Sequence, residues 1–369
     1  MKLLLVTNRL KTYPLMYRLI IDTIHELGHE VIWAADFSQF IGETNEIPCE
    51  IRNISIHTNP LKFRNIKAYR QLLSIIDSDG IEGVMCNTPI GSTLARLAAK
   101  TKGIKPVVYT AHGFLFYKGA PLINRTLFRW IEEWLAHYTD TLITITEEDC
   151  LAAEHFRIRG GSKPLLIHGA GIQLGKTANA RRDVIRRGIG IPEDSFLVIS
   201  AGDLNRNKNT EVMVKALIYL KESNVHYIAC GVGPEEDNLR KLARKLGVCG
   251  NFHLLGYRTD VPDLMNASDA FVMMSFREGL PRSIMEAMDM GLPCVGSDTR
   301  GIRDLIEVDK GGFICNPRKP EDFAYAIRRL QESPVLCKEY GAFNKEKVKP
   351  YSFDVVKKEL LEIYGKAFA

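Results

Sequence analysis

Two glutamates eight positions apart have the types and spacing best suited to chemistry in this chain. Glu278 is followed by a loop signal at Gly279 and Pro281, and Glu286 lies in a helical pattern over residues 282–290. On one continuous helix, eight residues would separate the carboxylates by about 12 Å. A glycosidase-type acid–base pair needs roughly 5–9.5 Å, so this spacing does not favour hydrolysis.

The spacing favours two carboxylates that hold the two ends of one long ligand. A helix begins between them, and its free N–H groups and dipole suit a phosphate, with Arg282 or Ser283 beside it. From the spacing alone, a loop glutamate and a helix-surface glutamate without function explain the pattern equally well.

A second candidate segment, residues 200–209, directly follows an apolar run. Gly202 allows a close backbone approach, and Arg206 and Lys208 have the charge to neutralise a diphosphate. Taken alone, this segment is also typical of a solvated loop with two cations.

His112 follows another apolar run, residues 106–109, and precedes a glycine. Ligands of parallel α/β sheets bind outside the carboxyl ends of the strands, so this position favours a site residue. A single histidine is more often structural, and only its position gives it weight.

Two further sequence patterns argue against a metal site and against a dinucleotide-binding site. The string from His25 to His29 matches the zinc-protease pattern, but Gly28 ends the helix that the pattern requires, so we predict no metal site. The glycine-rich dinucleotide fingerprint is absent after the first apolar run, at residues 7–10, which disfavours a nicotinamide dehydrogenase.

Alternating strand and helix patterns must position these residues. One series begins at residues 3–6 and 17–27, and a second begins at residues 196–200, which predicts an α/β fold with parallel sheets. We expect two Rossmann-like, doubly wound domains that face each other across a cleft. Their predicted bounds are 1–175 and 190–350, and helix 352–369 packs back on the first domain.

The amino-acid composition narrows the class of protein further. The chain has 369 residues, 46% hydrophobic and 25% charged, which suits two globular cores. Eight cysteines without a C-x-x-C pair favour a reducing cytosol. The net charge of +5 is too small to argue for nucleic-acid binding, and no apolar run approaches a membrane span.

In combination, these motifs resemble a known family. The segment from Glu278 to Glu286, the loop from Gly202 to Lys208 and the strand-end His112 are similar to the retaining family-4 glycosyltransferases of GT-B fold. Residues 87–91, 231–235 and 255–260 match the same family in the same order. The resemblance spans nearly the whole chain and is greatest to the branch that builds capsules, exopolysaccharides and O-antigens on a lipid carrier.

The resemblance implies a UDP-sugar donor in the second domain, with no cofactor and no metal. Glu286 would hold the ribose, Glu278 the sugar hydroxyls, and Lys208 with Arg206 the diphosphate. His112 would reach the donor sugar from the first domain. The resemblance also implies contacts of Tyr257 and Arg258 near the base and of Gly202 beside the diphosphate. Backbone groups of the segment at the helix start would add phosphate contacts: Leu280, Pro281, Arg282 and Ser283.

Two departures from the family pattern bear on phosphate binding. Asp203 stands where many relatives have arginine, so Arg206 takes over the role or Asp203 points away. Residues 7–10 lack the glycine pair of many relatives, so we do not assign phosphate binding to that loop.

The acceptor side would lie in the first domain. An acid-free basic run and nearby polar residues are the candidates for contact with a lipid-linked saccharide or the inner face of the plasma membrane: Lys62, Arg64, Lys67, Arg70, Lys118, Asn8 and Asn87. A second stretch mixes basic and aromatic residues. Its helical spacing predicts that these side chains belong to the core: Leu127, Trp130, Ile131, Trp134 and Tyr138.

The sequence therefore predicts a cytoplasmic, peripherally membrane-associated enzyme. It would move a hexose or N-acetylated aminosugar from a UDP-sugar to a saccharide on undecaprenyl diphosphate. A nucleotide-sugar epimerase of GT-B fold and a non-catalytic nucleotide-sugar-binding subunit are the alternatives.

Overall fold

The computed structural model describes residues 1–57, 59, 62–175 and 181–369. The strands among these residues are β1 (Lys2–Arg9), β2 (Glu30–Asp36), β3 (Glu50–Asn53), β4 (Gly83–Cys86), β5 (Val107–Ala111), β6 (Thr141–Thr144), β7 (Leu165–Leu166), β8 (Phe196–Ala201), β9 (Val225–Cys230), β10 (Phe252–Gly256), β11 (Ala270–Met273), β12 (Cys294–Ser297) and β13 (Gly312–Cys315). The α-helices are α1 (Leu15–Glu26), α2 (Arg64–Ser78), α3 (Pro89–Lys102), α4 (Arg129–Ala136), α5 (Glu147–Ala153), α6 (Arg182–Gly188), α7 (Thr210–Ala216), α8 (Glu236–Leu246), α9 (Val261–Asn266), α10 (Arg282–Asp289), α11 (Ile302–Leu305), α12 (Pro320–Gln331), α13 (Pro334–Lys347) and α14 (Phe353–Ala367).

The chain divides into two compact units. The first consists of Met1–Gly171 and Phe353–Ala369, and the second of Ile172–Ser352. The second unit therefore begins slightly before the predicted connection between residues 175 and 190. Residues 176–180 of that connection lie outside the described residues. The C-terminal helix α14 belongs to the first unit, where it packs against α1.

The first unit contains a seven-stranded parallel sheet in the order β3-β2-β1-β4-β5-β6-β7. Residues 3–6 of β1 and all of β4 are buried, as strands covered on both faces should be. Helix α3 follows β4 because Pro89 suits its first turn and Gly103, at φ +69°, ends it. Both α/β sheets and their doubly wound order confirm the predicted fold class.

The second unit contains a six-stranded parallel sheet in the order β10-β9-β8-β11-β12-β13. Val198 of β8 packs in one apolar cluster, and its neighbours Leu197 and Ile199 pack in another, so the sheet is covered on both faces. Of all the helices described, none is long and apolar enough to cross a bilayer.

Candidate active site

The loops after β8 and β9 approach each other so closely that only glycine fits between them. A Cβ atom on Gly231 would lie 2.0 Å from the carbonyl oxygen of Gly202, and one on Gly233 would lie 2.3 Å from that of Leu204. The two glycines after β9 therefore set the path of the loop that carries Lys208.

Lys208 and Glu278 come from the loops that follow the adjacent strands β8 and β11. The Lys208 ammonium donates to Glu278 Oε1 at 2.9 Å, and the two side chains are 26% and 12% exposed. The structure thus brings together the cation and the carboxylate that the sequence assigned to the diphosphate and the sugar. A neutralised, partly buried pair of this kind can exchange partners when an anionic ligand arrives.

Helix α10 begins directly after this loop, as predicted. Pro281 is its N-cap and supplies no side-chain hydrogen bond, so the first-turn N–H groups are not capped by that residue. Ile284, Met285 and Met288 are buried, and Gly291, at φ +78°, follows the helix end. Leu280 and Ser283 are half-buried and Arg282 is exposed beside the helix start.

Glu286 lies on α10 and faces a separate cavity of 210 Å³. Its Oε1 is 3.8 Å from the guanidinium of Arg282, one turn earlier. The other residues that line the cavity are Gln173, Thr259, Val261, Pro262, Met265, Asp289 and Met290. Sequence reasoning missed Gln173, Thr259 and Val261. The position of Thr259 next to the predicted Arg258 was the available signal, whereas nothing near Gln173 pointed to this cavity.

Tyr257 and Arg258 follow β10, on the rim of the second sheet. Tyr257 is 77% exposed. Arg258 donates to Asp260 with its Nε at 2.7 Å from Oδ1, and this contact lowers the pKa of the Asp260 carboxyl. Arg258 is therefore already paired, and contact with a ligand would require it to share or leave Asp260.

Arg206 does not pair with Glu278, the partner of Lys208. Its side chain is 92% exposed, its Nε is 3.3 Å from Glu235, and it lines a larger cavity of 790 Å³ together with Phe276 and Arg318. Asp203 is exposed and lines a small recess beside Lys208. Lys208 is therefore paired with Glu278, whereas Arg206 is paired with Glu235.

In the first unit, His112 and Asn87 follow the adjacent strands β5 and β4. The Asn87 amide nitrogen lies 3.4 Å from His112 Nε2, so the two side chains are within hydrogen-bonding distance. Burial lowers the pKa of His112 to about 4, because desolvation disfavours the charged ring. His112 is therefore neutral at physiological pH and can act as a hydrogen-bonding group.

The remaining first-unit candidates have separate positions. Asn8 accepts a hydrogen bond from the Gly91 N–H at 2.8 Å and so ties the end of β1 to the start of α3. Lys118 is exposed, and its own N–H donates to Glu148. All four cations of the basic run are exposed around the first turns of α2: Lys62, Arg64, Lys67 and Arg70.

The prediction that the aromatic stretch before β6 is core was wrong for three of its five members. Leu127 is 46% exposed, Trp130 60% and Trp134 38%. The helix instead turns Glu132 inward, where it accepts from the buried Arg96 at 2.8 Å. Arg96 and Glu132 therefore pair on the inner face of α4, where Leu135 and Ala136 are also buried, while Trp130 and Trp134 face outward.

The helix that carries the zinc-protease string ends within that string. Helix α1 ends at Glu26, directly after His25, and Gly28 has φ +77°. Among the described residues, no group of three histidine, cysteine or acidic side chains is arranged to hold a metal ion.

Comparisons with known proteins agree with this geometry. The model described as "Glycosyltransferase Family 4" matches residues 18–160, and the one described as "Glycosyl transferases group 1" matches residues 181–347. A Bacillus subtilis (strain 168) protein named as a glycosyltransferase, EpsD, is 35% identical over 85% of this chain and 84% of its own length.

Two further proteins are similar over most of the chain. An Escherichia coli protein named UDP-Gal:alpha-D-GlcNAc-diphosphoundecaprenol alpha-1,3-galactosyltransferase is 26% identical over 79% of this chain and 75% of its own length. The crystal structure of Anabaena Alr3699/HepE in complex with UDP and glucose superimposes with a TM-score of 0.79 at 18% identity, over 99% of this chain and 100% of the other.

The two Rossmann-like units, the loop that carries Lys208 and the segment from Glu278 to Glu286 together define a glycosyltransferase of GT-B fold. The chain belongs to glycosyltransferase family 4.

Proposed function

We propose that this protein is a retaining glycosyltransferase of bacterial surface-polysaccharide synthesis. It transfers a hexose or an N-acetylated aminosugar from a UDP-sugar to a saccharide linked to a lipid diphosphate of the undecaprenyl type. The observation that carries the proposal is the 2.9 Å contact between Lys208 and Glu278 at the carboxyl ends of β8 and β11. The similarity to the Escherichia coli galactosyltransferase, whose name includes both kinds of substrate, supports it.

The nucleoside end of the donor occupies the cavity beside Glu286. This cavity combines a carboxylate, which suits two ribose hydroxyls, with the apolar side chains of Val261 and Met265. Tyr257 and Arg258 directly precede Thr259, which lines this cavity, and from that position they contact the base. The solved HepE complex with UDP and glucose supports a uridine donor for this fold.

The diphosphate lies between this cavity and Glu278. As the sugar–phosphate bond breaks, its electron pair goes to the phosphate oxygen and positive charge develops on the sugar ring. Lys208 and the first-turn N–H groups of α10 stabilise the leaving phosphate, and the Glu278 carboxylate stabilises the sugar cation and binds its hydroxyls.

The acceptor hydroxyl attacks the sugar from the face that the phosphate leaves, and its proton passes to the departing phosphate. This route retains the anomeric configuration and needs no enzyme nucleophile. His112, neutral at physiological pH, donates or accepts a hydrogen bond on the donor sugar. We also propose that the reaction needs no metal, because Lys208 and the helix terminus supply the positive charge.

The acceptor side of the protein contacts the inner face of the plasma membrane. The four exposed cations near the start of α2 are accompanied by Phe63 and Ile66, which are 86% and 51% exposed. Cations with protruding apolar side chains suit an anionic lipid surface. The outward-facing Trp130 and Trp134 of α4 add apolar surface in the same unit.

The direct test is incubation of the full chain with a panel of labelled UDP-sugars and a lipid-linked saccharide, with and without EDTA. We expect transfer with retention, insensitive to EDTA. The Lys208→Ala and Glu278→Gln variants should each lose roughly 10²–10³-fold in kcat. Lys215→Ala, a cation on α7 that is paired with Glu211, is the matched control and should retain activity.

Three outcomes would contradict the proposal. Isomerisation of the donor without transfer would indicate an epimerase, and UDP-sugar binding without turnover would indicate a binding subunit. Full activity of the double variant Lys208→Ala/Glu278→Gln would remove the assigned site.

A further inference from the structure

The end of β12 and the loop that follows it support the loop that carries Glu278 at three points. Ser297 Oγ donates to the carbonyl oxygen of Ser275 at 2.6 Å. Arg300 Nε donates to the carbonyl oxygen of Glu278 itself at 3.2 Å. A Cβ atom on Gly301 would lie 1.4 Å from the carbonyl oxygen of Gly279, so the two backbones are in direct contact.

Arg300 is the buried cation of this supporting loop and is only 4% exposed. Burial of a guanidinium is costly unless its N–H groups are bonded, so the side chain has little freedom to leave the Glu278 carbonyl. Glu278 is consequently held at two places, at its carboxylate by Lys208 and at its main chain by Arg300.

These two contacts respond differently to the donor. If Lys208 binds the diphosphate, as the proposed function requires, it turns from a carboxylate toward a phosphate and weakens its hold on Glu278. The contact from Arg300 is made to a main-chain oxygen and does not compete with the donor. It therefore persists while the sugar is bound.

We propose that Arg300 is a positioning residue that keeps Glu278 in its productive place after Lys208 has bound the diphosphate. The inference rests on the proposed function, because it acts through the role assigned to Glu278. A displacement of about 1 Å at a reacting group can cost roughly 10²-fold in rate, so the effect of losing this contact is measurable.

The test compares Arg300→Met and Arg300→Lys in the natural chain and in the Glu278→Gln background. We measure kcat, the donor KM, the dissociation constant of UDP and the melting temperature. Arg300→Met should lower kcat roughly 10–100-fold, with UDP affinity within about twofold of the natural chain. Arg300→Lys keeps one donor for the carbonyl and should lose less.

The double variants separate this inference from the proposed function. In the Glu278→Gln background, the Arg300 substitutions should have little further effect on kcat, since they act through the same residue. Multiplicative losses in the double variants, or UDP affinity falling in parallel with kcat, would overturn the role of Arg300. Full turnover of Glu278→Gln alone would instead remove the catalytic role assigned to Glu278, and the absence of transfer by the natural chain would remove the proposed function.

Arg318→Met is the matched control. Arg318 is an exposed arginine that stacks on the Phe276 ring at 5.1 Å, two residues before Glu278, and it should change kcat by less than about twofold. If Arg300→Met does not fold, Arg300→Lys carries the test, and an unchanged kcat in that variant contradicts the proposal.

Discussion

Burial decides which protonation state His112 brings to the reaction. Its pKa is lowered to about 4 by desolvation, so the ring is neutral throughout the physiological range. We expect His112→Ala to reduce kcat/KM but to leave the shape of the pH profile unchanged between about pH 5.5 and 8.5. An acidic limb near pH 6.5 that disappears in His112→Ala would show that the ring titrates during turnover.

Single residues also show where the sequence could and could not predict the candidate site. Lys208, Glu278 and Glu286 were found because each lies inside a short motif with a loop or helix signal. Arg206 has the same signal, yet its side chain pairs with Glu235, and spacing along a loop does not determine the direction of a side chain. Arg300 contacts a residue 22 positions away, and no local pattern reports such a contact.

At the scale of elements, the approach of the loops after β8 and β9 makes Gly231 essential. Alanine there would place its Cβ 2.0 Å from the Gly202 carbonyl oxygen, at a φ of +150° that side chains rarely adopt. Overpacking and backbone strain together should destabilise the second unit by roughly 2–4 kcal/mol and weaken UDP binding by displacing the Lys208 loop.

Melting temperature and UDP affinity of Gly231→Ala provide the measurement. Gly250→Ala is the control, because a Cβ at Gly250 meets no atom within 4 Å. Equal behaviour of the two variants would show that the loops separate at little cost.

The elements themselves were predictable to different degrees. Strand β8 begins at the predicted residue 196 and ends one residue after the predicted 200, because the apolar run at its centre is buried. Strand β3 was missed because it has exposed and half-buried residues only, and β6 because threonine occupies both of its ends. The buried face of α4 was predicted wrongly. Periodicity identifies an apolar face but not what covers it, and Glu132 lies on the inner face of this helix.

A pair of histidines on the neighbouring strands β9 and β10 makes the stability of the folded chain depend on pH. His226 Nδ1 and His253 Nε2 are 3.1 Å apart, so one ring must accept and cannot carry a proton at that nitrogen. Burial lowers the pKa of both rings. The charge of Arg186 also lowers that of His226, against an opposite effect of Asp194, and the charge of His226 lowers that of His253.

Protonation therefore favours the unfolded chain, in which histidine binds protons below about pH 6.5. The free energy of unfolding should fall as the pH drops through that value. We expect the midpoint of urea unfolding to decrease between about pH 7.5 and 5.5, and His253→Gln to reduce that decrease. His25→Gln, at an exposed position of α1, is the control. An identical decrease in His253→Gln and the natural chain would exclude the pair as its source.

At the scale of the whole molecule, the proposed membrane contact depends on charge that is concentrated at one place rather than on net charge, which is only +5. Four exposed cations lie within nine residues around the start of α2: Lys62, Arg64, Lys67 and Arg70. Each cation near an anionic bilayer contributes about 1 kcal/mol, so replacing all four with glutamate should weaken binding to anionic vesicles by at least roughly 10²–10³-fold.

A control of equal charge separates a local surface from general attraction. Helix α8 of the second unit carries four exposed cations of its own: Arg240, Lys241, Arg244 and Lys245. Their replacement with glutamate changes the net charge by the same amount and should leave most vesicle binding intact. Vesicle sedimentation at low and high salt measures both variants, and the natural chain should lose binding as salt screens the contact. Equal losses in the two variants would mean that net charge alone drives binding, and unchanged binding of the α2 variant would remove the proposed membrane surface.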